Sequence, residues 1–164
     1  MEVNDNGDAV MSGVAYTGKV IPSGVINQAT GREYKMILET SSMQFKDRMA
    51  LMDDHGKNYE SKAKAVIGLV DDLAVIDHQL TVNNATLFKS RGGVAEKITD
   101  DMQRNVPYEM SIRWDGGELY TSKAGDIING ITLEDNIIIV KNAHIKETTM
   151  TLAGVDNATS TTLH

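Results

Sequence analysis

The chain contains no cysteine. It forms no disulfide, and neither a thiol nucleophile nor a thiolate metal site is open to it. The lack of cysteine also fits a cytosolic setting. No cluster of Lys and Arg interrupts a formal net charge of −7, which argues against a nucleic-acid partner. No apolar run approaches the ~20 residues that span a bilayer. Runs such as Ile137–Val140 have the length of a buried strand, so no membrane partner is expected. Met1–Asp8 is acidic and polar; without a basic n-region or an apolar h-region it does not read as a signal peptide. No internal repeat is present, and the compositional bias is confined to a Thr-rich end.

What is present suits one globular domain. The 164 residues are 41% hydrophobic, enough to bury a core without disulfides. Residues 1–9 read as a flexible lead-in, 10–153 as the folded domain and 154–164 as a flexible polar tail. Alternation and turn signals place strands at Val10–Ile21, Glu33–Glu39, Ala65–Val70 and Leu73–Val82. Pro22-Ser23-Gly24 breaks the first of these, and Asp71-Asp72 turns between the last two. A connector at Ser41–Lys46 has room for a short helix, and Met49–Met52 is a short apolar run. Val94, Ile98 and Met102 fall at i, i+4 and i+8, marking an amphipathic helix over Gly93–Arg104. Period two returns over Val106–Trp114. Further strands cover Glu118–Thr121, Ile127–Leu133, Ile137–Val140 and Ala143–Leu152. About eight short strands and one helix suggest a mainly β (α+β) fold, a compact β-barrel-like domain with flanking helices.

A few residues are candidates for chemistry. Ser111 alternates with Tyr108, Met110, Ile112 and Trp114, so it lies opposite an apolar face and points outward or into a cleft. The commonest role of such a serine is a solvent-facing hydroxyl. No Gly-x-Ser-x-Gly elbow surrounds it, which argues against an α/β-hydrolase. His55 ends a short apolar run, a position from which an imidazole projects into a groove as general base; an ordinary loop histidine is the plainer reading. Asp53 and Asp54 beside it raise a metal-dependent hydrolase as a rival, although no His-x-x-x-His spacing supports one. Glu147 shares a face with Ile145 and Thr149 in a strictly alternating strand, where a carboxylate can orient an imidazole. His144 then falls on the other face. His78 groups with Ala74, Ile76, Leu80 and Val82 and reads as a core histidine.

The order of these features resembles the phage prohead maturation protease family, whose fold is similar to that of the herpesvirus assembly proteases. Leu51-Met52-Asp53-Asp54-His55-Gly56 resembles the family's histidine block, and Ile67-Gly68-Leu69-Val70 its glycine-containing strand. The helix Val94–Arg104 followed by Val106-Pro107-Tyr108-Glu109-Met110-Ser111-Ile112 resembles its nucleophile block. Glu147-Thr148-Thr149-Met150-Thr151, with Gly154-Val155-Asp156-Asn157-Ala158 after it, is a looser counterpart of its acid block. Asn105 stands where the family often has Gly, and Thr149 where it has Ser.

The resemblance spans roughly residues 13–160. It implies a serine endopeptidase with Ser111 as nucleophile, His55 as base and Glu147 as orienting acid, using no cofactor and no metal. The implied substrates are a scaffolding protein, the major capsid protein and the enzyme itself, inside the immature capsid in the host cytoplasm. Related viral proteases use a second histidine as third member, which makes His144 the rival of Glu147. Arg113, on the face of Ser111, is a candidate oxyanion donor or a surface partner of Glu109. The tail Ala158–Thr162 has the small residues of a self-cleavage segment, and the chain's end soon after the last strand suggests a protease core or a trimmed product. An inactive assembly factor of the same fold is the non-enzymatic alternative, and a homo-oligomer is left open.

Overall fold

The computed structural model describes residues 1–156 and 158–164. Asn157, part of the acid-block resemblance, lies outside the described residues. The fold is mostly β. A seven-stranded sheet is built from β1 (Ala9–Tyr16), β4 (Met49–Asp53), β5 (Val66–Ile76), β6 (Gln79–Leu87), β7 (Glu109–Asp115), β12 (His144–Thr151) and β13 (Ser160–Leu163). Their order is β13-β1-β6-β5-β4-β12-β7. The sheet curls until its two ends approach: Thr161 Oγ1 of β13 donates to the Tyr108 carbonyl beside β7 at 2.8 Å. Inside the curl lie Met11, Leu51, Val70, Leu80, Val82, Leu87, Met110 and Met150, all fully buried.

A smaller sheet takes β2 (Ile21–Ile26), β3 (Glu33–Leu38), β8 (Glu118–Thr121) and β11 (Ile138–Lys141) in the order β2-β3-β11-β8. Ile37 and Ile139 of this sheet pack with Ile128, Leu133 and Ile137 in a second core. Ile128 belongs to a two-stranded hairpin, β9 (Ile127–Ile128) and β10 (Ile131–Thr132). Its turn is Asn129-Gly130, both at positive φ (51° and 74°), as a tight hairpin requires. One α-helix, α1 (Gly93–Gln103), and four short 3₁₀ turns are present among the described residues, fewer helices than a flanking set implies.

Several sequence expectations shift for physical reasons. The chain does not turn at Asp71-Asp72. β5 runs straight through to Ile76, with the ladder shifting register around Asp72. The two carboxylates accept from the side-chain amides of Asn84 (2.7 Å) and Asn83 (3.3 Å) on β6. The turn is Asp77-His78, with φ of 50° and 64°, a left-handed pair that His and Asp tolerate better than most side chains. His78 is therefore an exposed turn residue and not a core histidine.

Pro22-Ser23-Gly24 does not end a strand but lies within β2. β2 is an edge strand whose register slips between Pro22 and Ile26, where a missing N–H costs no ladder bond. The helix presents Ala95, Ile98 and Thr99 to the interior, while Val94 stays exposed. Ser160–Leu163, read as tail, instead pair antiparallel with β1 as β13. Thr and Ser at alternate exposed positions suit a half-buried edge strand. The lead-in is also tied down: Asp8 is buried and its carboxylate accepts from the Ser90 backbone N–H at 2.9 Å.

Candidate active site

The site is assembled where β4, β7 and β12 lie side by side. β4 ends at Asp53, and the next three residues take positive φ in succession: Asp54 at 43°, His55 at 57° and Gly56 at 74°. For Asp54 and His55 this conformation costs roughly 1–2 kcal/mol each, so neighbouring groups must hold it. Thr149 is one of these. Its buried hydroxyl accepts from the His55 N–H at 2.8 Å and donates to the Met52 carbonyl at 3.0 Å. Thr151 Oγ1 donates to Asp54 Oδ1 at 3.2 Å. Two threonines of β12 thus clamp the turn that aims the imidazole.

The half-buried imidazole reaches Ser111 with Nε2, 3.2 Å from Oγ. Nδ1 faces Glu147, 3.6 Å from Oε1. Ser111 and Thr149 are cross-strand partners, as are Arg113 and Glu147, so both pairs present to one face. Glu147 reaches that face through a bulge. The register slips between Ile145, paired with Trp114, and Glu147, paired with Arg113. In a strictly alternating strand Glu147 would share the core-facing side of Ile145. The extra residue, Lys146, turns Ile145 inward and Glu147 toward His55. His144, expected on the opposite face, is brought by the bulge to the face of Glu147, since its partner Asp115 alternates with Arg113; it lies farther along the strand and lines a separate cavity.

Glu147 is almost fully buried, at 5% exposed. Besides His55 it meets two cations, Lys62 Nζ at 3.3 Å from both oxygens and Arg113 Nε at 3.2 Å from Oε2. Burial works to raise its pKa, but the hydrogen bonds from Arg113 and Lys62 outweigh that and hold the carboxyl below its usual range. His55 is shifted down: burial disfavours its charged form by more than Glu147 favours it. Arg113 therefore pairs with Glu147 and lies 4.0 Å from Asp115; Glu109 instead accepts the Gly154 N–H at 2.8 Å.

The carboxylates beside His55 are engaged elsewhere. Asp53 Oδ2 accepts from the Tyr59 hydroxyl at 2.6 Å, and Asp54 from Thr151. Among the described residues no three His, Asp or Glu side chains converge as metal ligands would.

A cavity of about 300 Å³ opens on Ser111 and His55. Its walls include Tyr16, Ile21, Met36, Leu38, Ile112 and Trp114, and its charged rim is Glu33 and Asp156. Asp156 is anchored, accepting from both the N–H and the hydroxyl of Thr17 at 2.7 Å.

The structure thus brings together Ser111, His55 and Glu147, leaves His144 apart, engages the candidate Arg113 with Glu147, and adds Thr149 and Lys62 to the set. Thr149 was legible as sharing a face with Glu147. Lys62 left no periodic signal, because it comes from a 3₁₀ turn, Lys62–Ala65. No family model, curated protein or solved structure matches this chain significantly. No helix is long and apolar enough to cross a membrane among the described residues.

Proposed function

We propose that the protein is a serine endopeptidase acting by acyl transfer. The observation that carries this reading is a single imidazole with Nε2 at 3.2 Å from Ser111 Oγ and Nδ1 facing a buried carboxylate. With the Nδ1 proton held toward Glu147, Nε2 is left as an acceptor for the Ser111 hydroxyl proton. Oγ attacks the peptide carbonyl carbon while His55 takes that proton. The C–N bond then breaks as His55 returns the proton to the leaving amine. Water, deprotonated by the same nitrogen, releases the acyl group and regenerates Ser111. Glu147 keeps the ring oriented and stabilises its transient charge.

The cavity beside Ser111 supports a substrate with an apolar side chain next to the cleaved bond. Its walls are aliphatic and aromatic, and its two rim carboxylates disfavour an acidic residue there. The order of the histidine, nucleophile and acid blocks, with the curled sheet that joins them, supports a finer reading. In it the enzyme is a prohead maturation protease of herpesvirus-protease-like fold, cleaving scaffold, capsid protein and itself within the immature capsid. The test is incubation of the purified protein with a scaffold or capsid precursor, wild type against Ser111→Ala, read by intact mass. Defined fragments from wild type alone are expected. Equal fragmentation by both proteins contradicts the peptidase, and no fragmentation by either favours the inactive assembly factor.

A further inference from the structure

The chain has a second, larger cavity of about 480 Å³, outside the Ser111 site. It opens where the parallel pairing of β4 and β12 splits. Gln44 bridges His144, and the regular ladder resumes only at Leu51 and Thr148. Between those points one strand spends more residues than the other, so Phe45–Arg48 bow outward. Among the described residues, Phe45, Lys46 and Asp47 make no backbone hydrogen bond to another segment. One wall of the cavity, at Phe45 and Lys46, thus carries peptide groups that pair with no other segment.

The charge of this cavity is opposite to that of the molecule. Lys46, Arg48 and Lys146 line it together with His144, and no carboxylate does, in a chain of net charge −7. Lys146 is partly balanced, 3.6 Å from Asp115 Oδ1. Lys46 and Arg48 are exposed and form no ion pair among the described residues. Asp47 lies between them in sequence but outside the lining. The floor is apolar, formed by Phe45, Met49, Ala50 and Ile145.

We infer that this cleft is a docking site for an extended, acidic polypeptide segment of a partner protein. Free peptide groups along one wall suit an extended chain, as in strand addition. Three cations around an apolar floor suit carboxylates alternating with small or apolar side chains. A nucleic acid fits less well, because the negative field of the whole chain opposes a long polyanion while a short cleft offers only a few phosphate contacts. The inference stands whether or not the Ser111 site is a peptidase.

The test is fluorescence anisotropy on the full chain. The probe is a fluorescein-labelled ten-residue peptide alternating Glu and Ala, with a Gln/Ala peptide and a ten-nucleotide oligo-dT as comparisons. Saturable binding of the Glu peptide is expected, at least tenfold tighter than the Gln peptide. The Lys46→Glu/Arg48→Glu double variant is expected to weaken it tenfold or more. Lys123→Glu, an exposed lysine elsewhere, should change it less than twofold. If the double variant fails to fold by circular dichroism, Lys46→Gln/Arg48→Gln replaces it, with an expected loss of at least threefold. The proposal is overturned by absence of saturable binding, by equal weakening from Lys123→Glu, or by no weakening from the cleft variants. Tighter binding of oligo-dT through the same residues overturns it in favour of a nucleic-acid site.

Discussion

Consecutive residues of β12 face two unlike environments. Glu147 turns to the Ser111 side, and Lys146 lines the basic cleft. On the Ser111 side one buried carboxylate is matched by His55 and by two cations, Lys62 and Arg113, that stay exposed themselves. On the other side Lys46 and Arg48 are exposed and unmatched among the described residues. Matched, desolvated charge fixes geometry and tunes a pKa, which is what proton transfer needs. Unmatched surface charge does little for the fold and is available to a partner. One β-bulge separates the two environments.

The comparison breaks most sharply at Ser111. Ser111→Ala should remove peptidase activity by several orders of magnitude, with circular dichroism unchanged, while binding of the Glu peptide in the basic cleft stays within twofold. Next in size is Glu147→Gln, expected to lower kcat/KM by about 10²–10⁴. His144→Ala, on the cleft side, should lower it less than threefold. A crippled but folded His144→Ala beside a normal Glu147→Gln would reverse the assignment of the third member.

The pH dependence sharpens the electrostatic half of the comparison. His55 must be neutral to accept the Ser111 proton, and burial holds its pKa below the usual value near 6.5. Activity should therefore rise with pH through an apparent pKa below that value and be full at neutrality. Lys62→Met removes a cation that competes with His55 for Glu147. The carboxylate then stabilises the imidazolium better, and the acidic limb of kcat/KM should move to higher pH. A limb that stays put or moves to lower pH contradicts this. The smallest effect is expected from the basic cleft: Lys46→Glu/Arg48→Glu should alter cleavage of a short neutral peptide less than twofold.

How much of this was legible in the sequence depends on what positions each residue. Ser111 was legible because β7 keeps strict period two from Glu109 to Asp115, and alternation alone puts it opposite Met110. His55 was legible as a residue at a strand end, but its left-handed backbone and the Thr149 clamp depend on a strand distant in sequence. Glu147 was legible as a candidate, although strict alternation put it beside Ile145. Only the bulge at Lys146 frees it, and a bulge leaves no mark in hydrophobic period. The hairpin turn was misplaced because Asp71-Asp72 carries the stronger turn composition, while the Asn83 and Asn84 amides let β5 run on. Gly68 shows the opposite case. A side chain there would run into the Thr86 carbonyl oxygen of the neighbouring strand, so the glycine noted in the sequence has a packing reason.

The central claim is that His55 activates Ser111 as a nucleophile. It is tested most directly by treating the full chain with a fluorophosphonate probe and locating the adduct by mass spectrometry. One covalent phosphonylation is expected, on Ser111, lost in Ser111→Ala and slowed at least a hundredfold in His55→Ala. No adduct on the wild type, or an adduct on Ser111 that forms as fast in His55→Ala, would contradict it.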